Sequence, residues 1–313
     1  MVFACSIRRD YGRCKLMKRK RRRTSLSGLV FDTVNHLFFI FMTVCFVLPF
    51  IHILMYSISD ITKNSTAGLF LIPRGFDIYI YRAALINSSR VATAFGVSLY
   101  VAFFGTAIGL LISSMIAYGM TKPLKGQNAV TFIVFFTMLF NGGMVPTWLL
   151  IRSLGLLDNV WALILPSMMN AFNIFLLRNF MNMLPNSIEE SVQMDGGDYI
   201  VIFFKFILPL SKPVLATVAL MMMVGYWNDY FSSVLYIYDQ SKWSLATLIR
   251  DMLSRMDLTI MDGGQVVGVD VNRSDNVKMR SATIIISVVP VLMVYPFLQK
   301  YFEKGIMIGA IKG

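Results

Sequence analysis

The sequence predicts an all-α polytopic membrane protein with six transmembrane helices, and three observations carry that prediction. Of its 313 residues 56% are hydrophobic and only 15% charged, where an ordinary soluble domain carries about 25% charged residues. Six windows of about 20 predominantly apolar residues are each long enough to cross a hydrocarbon core of about 30 Å. The Lys and Arg residues between those windows fall unevenly on the two sides that six crossings define.

Taken in order, the spans are Leu37 to Ser57, Phe95 to Tyr118, Val130 to Ile151, Trp161 to Leu177, Val214 to Tyr236, and Ala282 to Gln299. The fourth is short, but dropping it would part the two chain ends. With six, the N-terminus, the loops Thr121 to Gln127 and Arg178 to Pro213, and the tail Lys300 to Gly313 share one side, which holds 18 of the 29 Lys and Arg residues. Basic residues accumulate on the cytoplasmic side, so both termini are expected there. Most of the opposite side's basic residues lie in the loop Tyr238 to Arg280, too long for the charge rule to weigh heavily.

Residues 1–30 form a basic leader whose first 23 positions hold ten Lys and Arg against the single acid Asp10. Most of the net charge of +12 therefore sits at one end, and Arg21, Arg22 and Arg23 precede the first span. Such a cluster anchors a chain beside anionic membrane lipid, and no nucleic-acid partner is expected. The apolar run that follows is a full span, unlike the core of about 7 to 15 residues in a cleavable signal.

The residue types needed for catalysis are not arranged for it. Cys5, Cys14 and Cys45 make an odd set with no disulfide framework. His36 and His52 flank the first span, too far apart for an HExxH metal pair. No Gly-Lys dipeptide occurs, hence no Walker A phosphate loop. The chain is expected to be no enzyme and to bind no cofactor of its own. If nucleotide drives its work, another chain binds the ATP and Mg²⁺.

Within the spans, Gly105, Gly109, Ser113 and Ala117 recur every four residues, giving the second helix a nearly flat face for close helix packing. Asn141, with Gly142, Gly143 and Pro146 after it, should disturb the third span, which is tolerated only against protein or a wet cavity. Asn170 and Asn173 stand in the fourth span, and Trp227, Asn228, Asp229 and Tyr230 in the fifth. Asp229 is the only acid in the six spans, and its insertion cost of about 2.5 to 3.5 kcal/mol implies water or a partner beside it. These seven residues are the candidates for a substrate pathway. Amides and carboxylates bind sugar hydroxyls while an indole covers the apolar face of a ring. The same amides would also tie helices together.

The most specific stretch is polar, Leu184 to Pro213. Ser187 and Glu190 are spaced as a capping box, so a short helix is expected from about Ile188. Asp195, Gly196 and Gly197 should end it, since glycine enters the left-handed conformation of a helix C-cap without steric cost. Asp198 can cap a second helix with Ile200, Phe203, Phe204 and Ile207 on one apolar face. Pro209 and Pro213 then punctuate the approach to the fifth span. The expected product is helix, glycine elbow, helix.

Glu190, Ser191 and Val192, then Gly196, then Leu208 and Pro209 follow one another with the spacing of the EAA loop of binding-protein-dependent ABC importers. Ser191 and Val192 replace the two alanines and Phe206 the isoleucine. Gly142 to Pro166, the GYWNDYF run from Gly225 to Phe231, and the terminal KYFEKGIMIGAIKG also resemble the carbohydrate-uptake (MalG-like) branch, closest to the LplC/YtcP-like group of permeases for complex saccharides. The resemblance covers the chain from about Val30 to Gly313.

That resemblance implies a type I importer (MetI-like) permease domain over residues 31–313, in a bacterial cytoplasmic (inner) membrane. The domain would include a cytoplasmic EAA loop at 184–213 and an extracytoplasmic loop at 238–280. It implies four kinds of partner: a second homologous permease, two cytosolic ABC ATPase subunits, an extracytoplasmic solute-binding protein, and membrane lipid. Glu189, Glu190, Ser191, Asp195, Gly196, Gly197, Leu208 and Pro209 would couple the chain to the ATPases, and Gly305 to Gly313 could reach between them. The stretch Trp243 to Met256 would form a surface helix near the binding protein. The cargo would be an oligosaccharide or other complex carbohydrate. The alternative, a secondary transporter of a small polar solute, should show internal repeats or several carboxylates at mid-depth, and neither is evident.

Overall fold

The computed structural model describes residues 26–60, 69–87, 89–123, 125–261 and 277–293, and among these every regular element is helical. In chain order they are α1 (Leu26–Ser57), α2 (Tyr79–Arg82), α3 (Ser89–Gly119), α4 (Gln127–Leu139), α5 (Met144–Ser153), α6 (Trp161–Ile164) and α7 (Ala171–Met181). There follow α8 (Asn186–Met194), α9 (Tyr199–Ile202), α10 (Leu208–Leu210), α11 (Lys212–Asn228), α12 (Phe231–Tyr236) and α13 (Leu245–Met261). A last helix, α14, occupies 277–293. The basic leader, the tail from 300 to 313, and the end of the sixth expected span lie outside the described residues.

Residues 1–50 and 51–313 form two compact units. What is described of the first is most of α1, an exposed apolar helix with Leu37, Phe41 and Phe46 all more than half exposed, as befits a surface meeting lipid. Gly28–Ser57 and Arg90–Gly119 are each long and apolar enough to cross a membrane. Three further pairs qualify only when two helices joined at a bend count as one: Gln127–Leu139 with Met144–Ser153 at 116°, Trp161–Ser167 with Ala171–Met181 at 53°, and Tyr199–Leu210 with Lys212–Asn228 at 80°.

The bend in the third span is the disturbance expected at Asn141, whereas the bend in the fourth and the early end of the fifth correct spans expected to be continuous. The third breaks at Asn141, whose side-chain oxygen accepts from the Gly143 N–H at 2.8 Å while Gly143 takes φ +88°. The local turn thus outcompetes the helix ladder. The fourth breaks because Pro166 offers no N–H, and the chain tightens to a 3₁₀ turn at Leu165–Ser167. In that turn the Met168 N–H donates to the Leu165 carbonyl at 3.4 Å, and the Ile164 carbonyl accepts instead from the Tyr226 hydroxyl at 3.1 Å. The fifth ends at Asn228 rather than Tyr236. Asp229 is extended, and its carboxylate accepts from the Ser232 N–H at 3.1 Å to start α12.

The core of the second unit is built on α3, α7 and α11. The small-residue stripe on α3 lets them close. A Cβ at Gly105 would lie 2.7 Å from the Tyr226 ring, and one at Gly109 would lie 2.4 Å from Met222 Cε and 2.6 Å from the Met168 carbonyl oxygen. Ser113 and Ala117 are fully buried. Backbone approach of this kind needs glycine on the crossing face. The pairings also set direction: α11 runs antiparallel to α3, since Tyr226 meets Gly105 and Met222 meets Gly109. α7 runs parallel to it, since Met168 meets Gly109 and the Arg178 Nε donates to the Met120 carbonyl at 3.2 Å.

Candidate functional site

The C-terminal end of α3 carries an elbow made by α8 and α9. α8 begins after Pro185, two residues earlier than a Ser187 cap would place it, and no side chain caps it. The expected capping box is therefore not formed. Ser187 is inside the helix, where its carbonyl accepts from the Ser191 hydroxyl at 2.7 Å. The C-terminus follows expectation closely. The Gly197 N–H donates to the Val192 carbonyl at 2.8 Å and the Gly196 N–H to that of Gln193 at 3.0 Å, the paired bonds of a Schellman motif. Gly196 has φ +80°, a left-handed conformation that penalises any Cβ. Gly197 is glycine for a different reason: its Cβ would lie 2.5 Å from Val192 Cγ1 and 2.9 Å from the Val192 oxygen.

Asp198 then caps α9, accepting from the Tyr199 N–H at 2.7 Å. The apolar face beyond it differs from the expected one. Ile202, Phe203 and Ile207 are buried, whereas Ile200 and Phe204 are exposed. For Phe204 the reason is a π-helical stretch, Phe203–Ile207, just before Pro209, which has no N–H to continue an α ladder. The widened turn rotates the following side chains. Leu208 and Pro209 lie in the short α10, and the chain turns through 80° into α11.

On the elbow the charged groups divide. Glu189 pairs with Lys122, just beyond α3. Among the described residues Glu190 and Asp195 have no side-chain hydrogen bond or ion pair, and both are exposed. Met194, the last residue of α8, is 87% exposed. Sequence reasoning missed Met194 and Lys122. The signal for Lys122 was available in the alternation of spans, which puts loops 121–127 and 178–213 on one side.

Near the other end of α3, polar groups are satisfied internally. The Ser98 hydroxyl accepts from the Leu245 N–H at 2.8 Å, fixing the start of α13. Asp158, at φ +59°, accepts from Lys242 Nζ at 2.9 Å and from the Asp239 and Tyr238 N–H groups at 2.9 and 3.2 Å. Hydrogen bonding from the Asp239 backbone, then from Lys242, holds the Asp158 carboxyl below its usual range. Asp77 pairs with buried Lys278 at 2.6 Å, and that hydrogen bond likewise lowers its pKa.

Between these ends a cavity of about 630 Å³ opens along α7 and α11. The structure brings four of the seven pathway candidates into it: Asn170, Asn173, Asn228 and Asp229. Asn173 is 6% exposed, and among the described residues its amide has no hydrogen-bond partner. Asn170 uses its oxygen to cap α7, accepting from the Phe172 N–H at 2.9 Å, which leaves its NH₂ toward the cavity. Asn141, Trp227 and Tyr230 are not among its walls. Trp227 is buried, donating to the Ser287 carbonyl at 3.1 Å, and the Tyr230 ring lies under Arg250 at 4.6 Å. Sequence reasoning missed Ser167, Phe172, Met221, Met222, Gly225 and Tyr226, which complete the walls. Nothing in an apolar helix marks which face a bend will expose.

Comparison with known proteins places this architecture. Residues 92–308 match the family described as binding-protein-dependent transport system inner membrane component. The polygalacturonan/rhamnogalacturonan transport system permease protein YtcP of Bacillus subtilis is 39% identical over 294 residues, covering 92% of this chain and all of that protein. Protein LplC of the same organism is 40% identical over 92% of this chain and 96% of its own. The fold also matches a chain in the crystal structure of a bacterial ABC transporter that imports the acidic polysaccharide alginate, at a TM-score of 0.78 and 30% identity, covering 89% of this chain and 98% of that one. By that family match and those relatives, the chain belongs to the binding-protein-dependent transport system inner membrane components, the permeases of ABC importers.

Proposed function

We propose that this chain is one of two permeases in an ATP-driven importer of an oligosaccharide or other complex carbohydrate in a bacterial cytoplasmic membrane. The carrying observation is the elbow, a nine-residue helix ending in a two-glycine stop, with Met194, Glu190 and Asp195 exposed and, among the described residues, no side-chain partner for either carboxylate. Such a surface fits a cleft with basic groups and an apolar floor on a cytosolic ATPase subunit, which binds the ATP and Mg²⁺. Glu190, Ser191, Asp195, Gly196, Gly197, Leu208 and Pro209 form the contact and its hinge, while Glu189 fixes the helix from behind.

Because α7 leads into α8 and α9 leads into α11, a push on the elbow moves both walls of the cavity. Asn170, Asn173, Asn228 and Asp229 offer hydrogen bonds to sugar hydroxyls there, with a second permease closing the open side. The orientation in support of this has both termini and the elbow in the cytoplasm, with α13 toward an extracytoplasmic solute-binding protein. The transport of polygalacturonan/rhamnogalacturonan named for one similar protein and the import of alginate named for another support the cargo class. Site-directed cross-linking tests the elbow's role. A cysteine at Met194 should capture an ATPase subunit in membranes that transport, and failure to capture one in a working complex would remove the mechanism.

A further inference from the structure

We propose that the Lys122–Glu189 ion pair is a latch that makes α3 and the elbow move as one body, so that the ATPase stroke enters three spans rather than two. The inference rests on the importer reading above. The chain itself joins α8 only to α7 and α9, in the fourth and fifth spans. α3 belongs to the second span, more than sixty residues away in sequence, and any force reaching it must cross a non-covalent contact.

Among the described residues the side chains of α8 make one polar bond to the rest of the chain, that of Glu189 to Lys122. Both side chains are largely withdrawn from solvent, at 13% and 20% exposure for Lys122 and Glu189, so water screens the pair weakly. The ammonium also lies 4.4 Å from the centroid of the Tyr118 ring, a cation–π contact that fixes it to the last turn of α3. Glu189 stands in the first turn of α8, where the helix dipole favours its charge. Among the described residues Val192 also packs this helix against the apolar core, and apolar contact resists sliding less than a directed charge pair does.

The anchor is itself braced. The Met120 carbonyl, two residues before Lys122, accepts from Gln127 Nε2 at 2.8 Å and from Arg178 Nε at 3.2 Å. Those bonds tie the end of α3 to the start of α4 and to α7. Glu189 thereby adds α8 to a joint that already gathers three helices. It is a positioning residue and need not touch the ATPase. Its neighbour Glu190, one step around the helix, is the exposed one.

The test uses the full assembly in lipid vesicles, with spin labels on cysteines at Met115 of α3 and Gln193 of α8 and the native cysteines replaced. Adding ATP with vanadate drives the ATPase stroke. In the parent, the Met115–Gln193 distance distribution should keep one position with and without nucleotide. In Lys122→Met, which keeps the apolar stem, nucleotide should shift or split it while the ATPase subunits still co-purify. Lys122→Arg should behave as the parent, and Lys122→Glu combined with Glu189→Lys should restore the single position that either reversal alone loses. A nucleotide-dependent shift in the parent, an unchanged distribution in Lys122→Met, a swap no better than its single reversals, or loss of the ATPase from Lys122→Met would each overturn the latch. If no ATPase accompanies the unsubstituted chain, the importer reading itself is what fails.

Discussion

The two ends of α3 handle charge in opposite ways. Near the N-terminal end, Asp158, Asp239 and Lys242 bind one another and nearby backbone N–H groups, and Asp77 closes on a buried lysine. At the C-terminal end, Glu189 is used, but Glu190 and Asp195 have no side-chain partner among the described residues, and Met194 stands in the open. A 31-residue helix separates them by about 45 Å. Saturated charge is what a static joint needs. Unsaturated charge beside an exposed apolar side chain is what a docking surface needs, since its bonds form only when a partner arrives. Under the proposed docking, substitutions at the two ends should fail in different assays.

The largest effect should come from reversing the unsatisfied charge. Glu190→Lys should leave the protein inserted and folded, with an unchanged thermal midpoint, yet lower uptake on the order of 100-fold, the scale of losing a charge pair across an interface. Counter-transport or uptake assays in cells with matched membrane levels check it. Normal uptake would erase the functional distinction between the two ends.

The joint should fail in the complementary way. Asp77→Ala leaves Lys278 buried at 4% exposure without its carboxylate, and because water reaches the Asp77 side, the cost should be about 2 kcal/mol rather than the several seen for fully buried pairs. Thermal unfolding in detergent should show the loss. Adding Lys278→Met should recover most of it, because an apolar residue of similar length needs no counter-charge.

How much of this was legible beforehand differs between the ends for a physical reason. The elbow is local: Gly196, Gly197 and Asp198 act on backbone within five residues, so their roles were readable in order. The capping box was misread because Pro185, pre-set in φ and without an N–H, starts the helix before Ser187 can cap it. The side taken by Phe204 was misread because Phe203–Ile207 is π-helical and the expected spacing assumed 3.6 residues per turn. Contacts such as Asp77 with Lys278 or Lys122 with Glu189 join residues 201 and 67 apart, and no periodicity encodes them. The cavity was half legible. Asn170, Asn173, Asn228 and Asp229 were found because polarity at depth is costly, while Trp227 was misplaced because its indole finds a carbonyl on α14.

A third substitution separates the shape of the elbow from its charge. Gly196→Ala keeps every charge but places a Cβ at φ +80°, a strain of about 1 kcal/mol. Since nothing lies within 4 Å of that Cβ, the loss should be conformational alone. Hydrogen exchange of the 186–197 amides should quicken, and uptake should fall only several-fold. An effect as large as that of Glu190→Lys would mean that the stop, not the charge, dominates docking.

The smallest effect belongs to Asp158→Ala. Asp158 and Lys242 are both about one-third exposed, so their pair is worth little, and uptake should stay within about twofold of the parent. The pH dependence is the sharper readout. Asp158 is lowered chiefly by the Asp239 N–H, Asp239 chiefly by the Ser241 N–H, both from an ordinary 3.8, and Lys242 is raised from 10.5 chiefly by Asp158. A carboxylate lowered on folding contributes stability above its ordinary value and loses it as pH falls through the lowered one. A raised lysine contributes below 10.5 and loses it as pH climbs through the raised value. The deficit of Asp158→Ala should therefore be flat from about pH 5 to 9, shrink in acid below the ordinary carboxylate value, and shrink again in base above the ordinary lysine value as Lys242 loses its proton. A deficit that changes near neutrality would point to a titrating partner outside the chain and make this end, too, a docking surface.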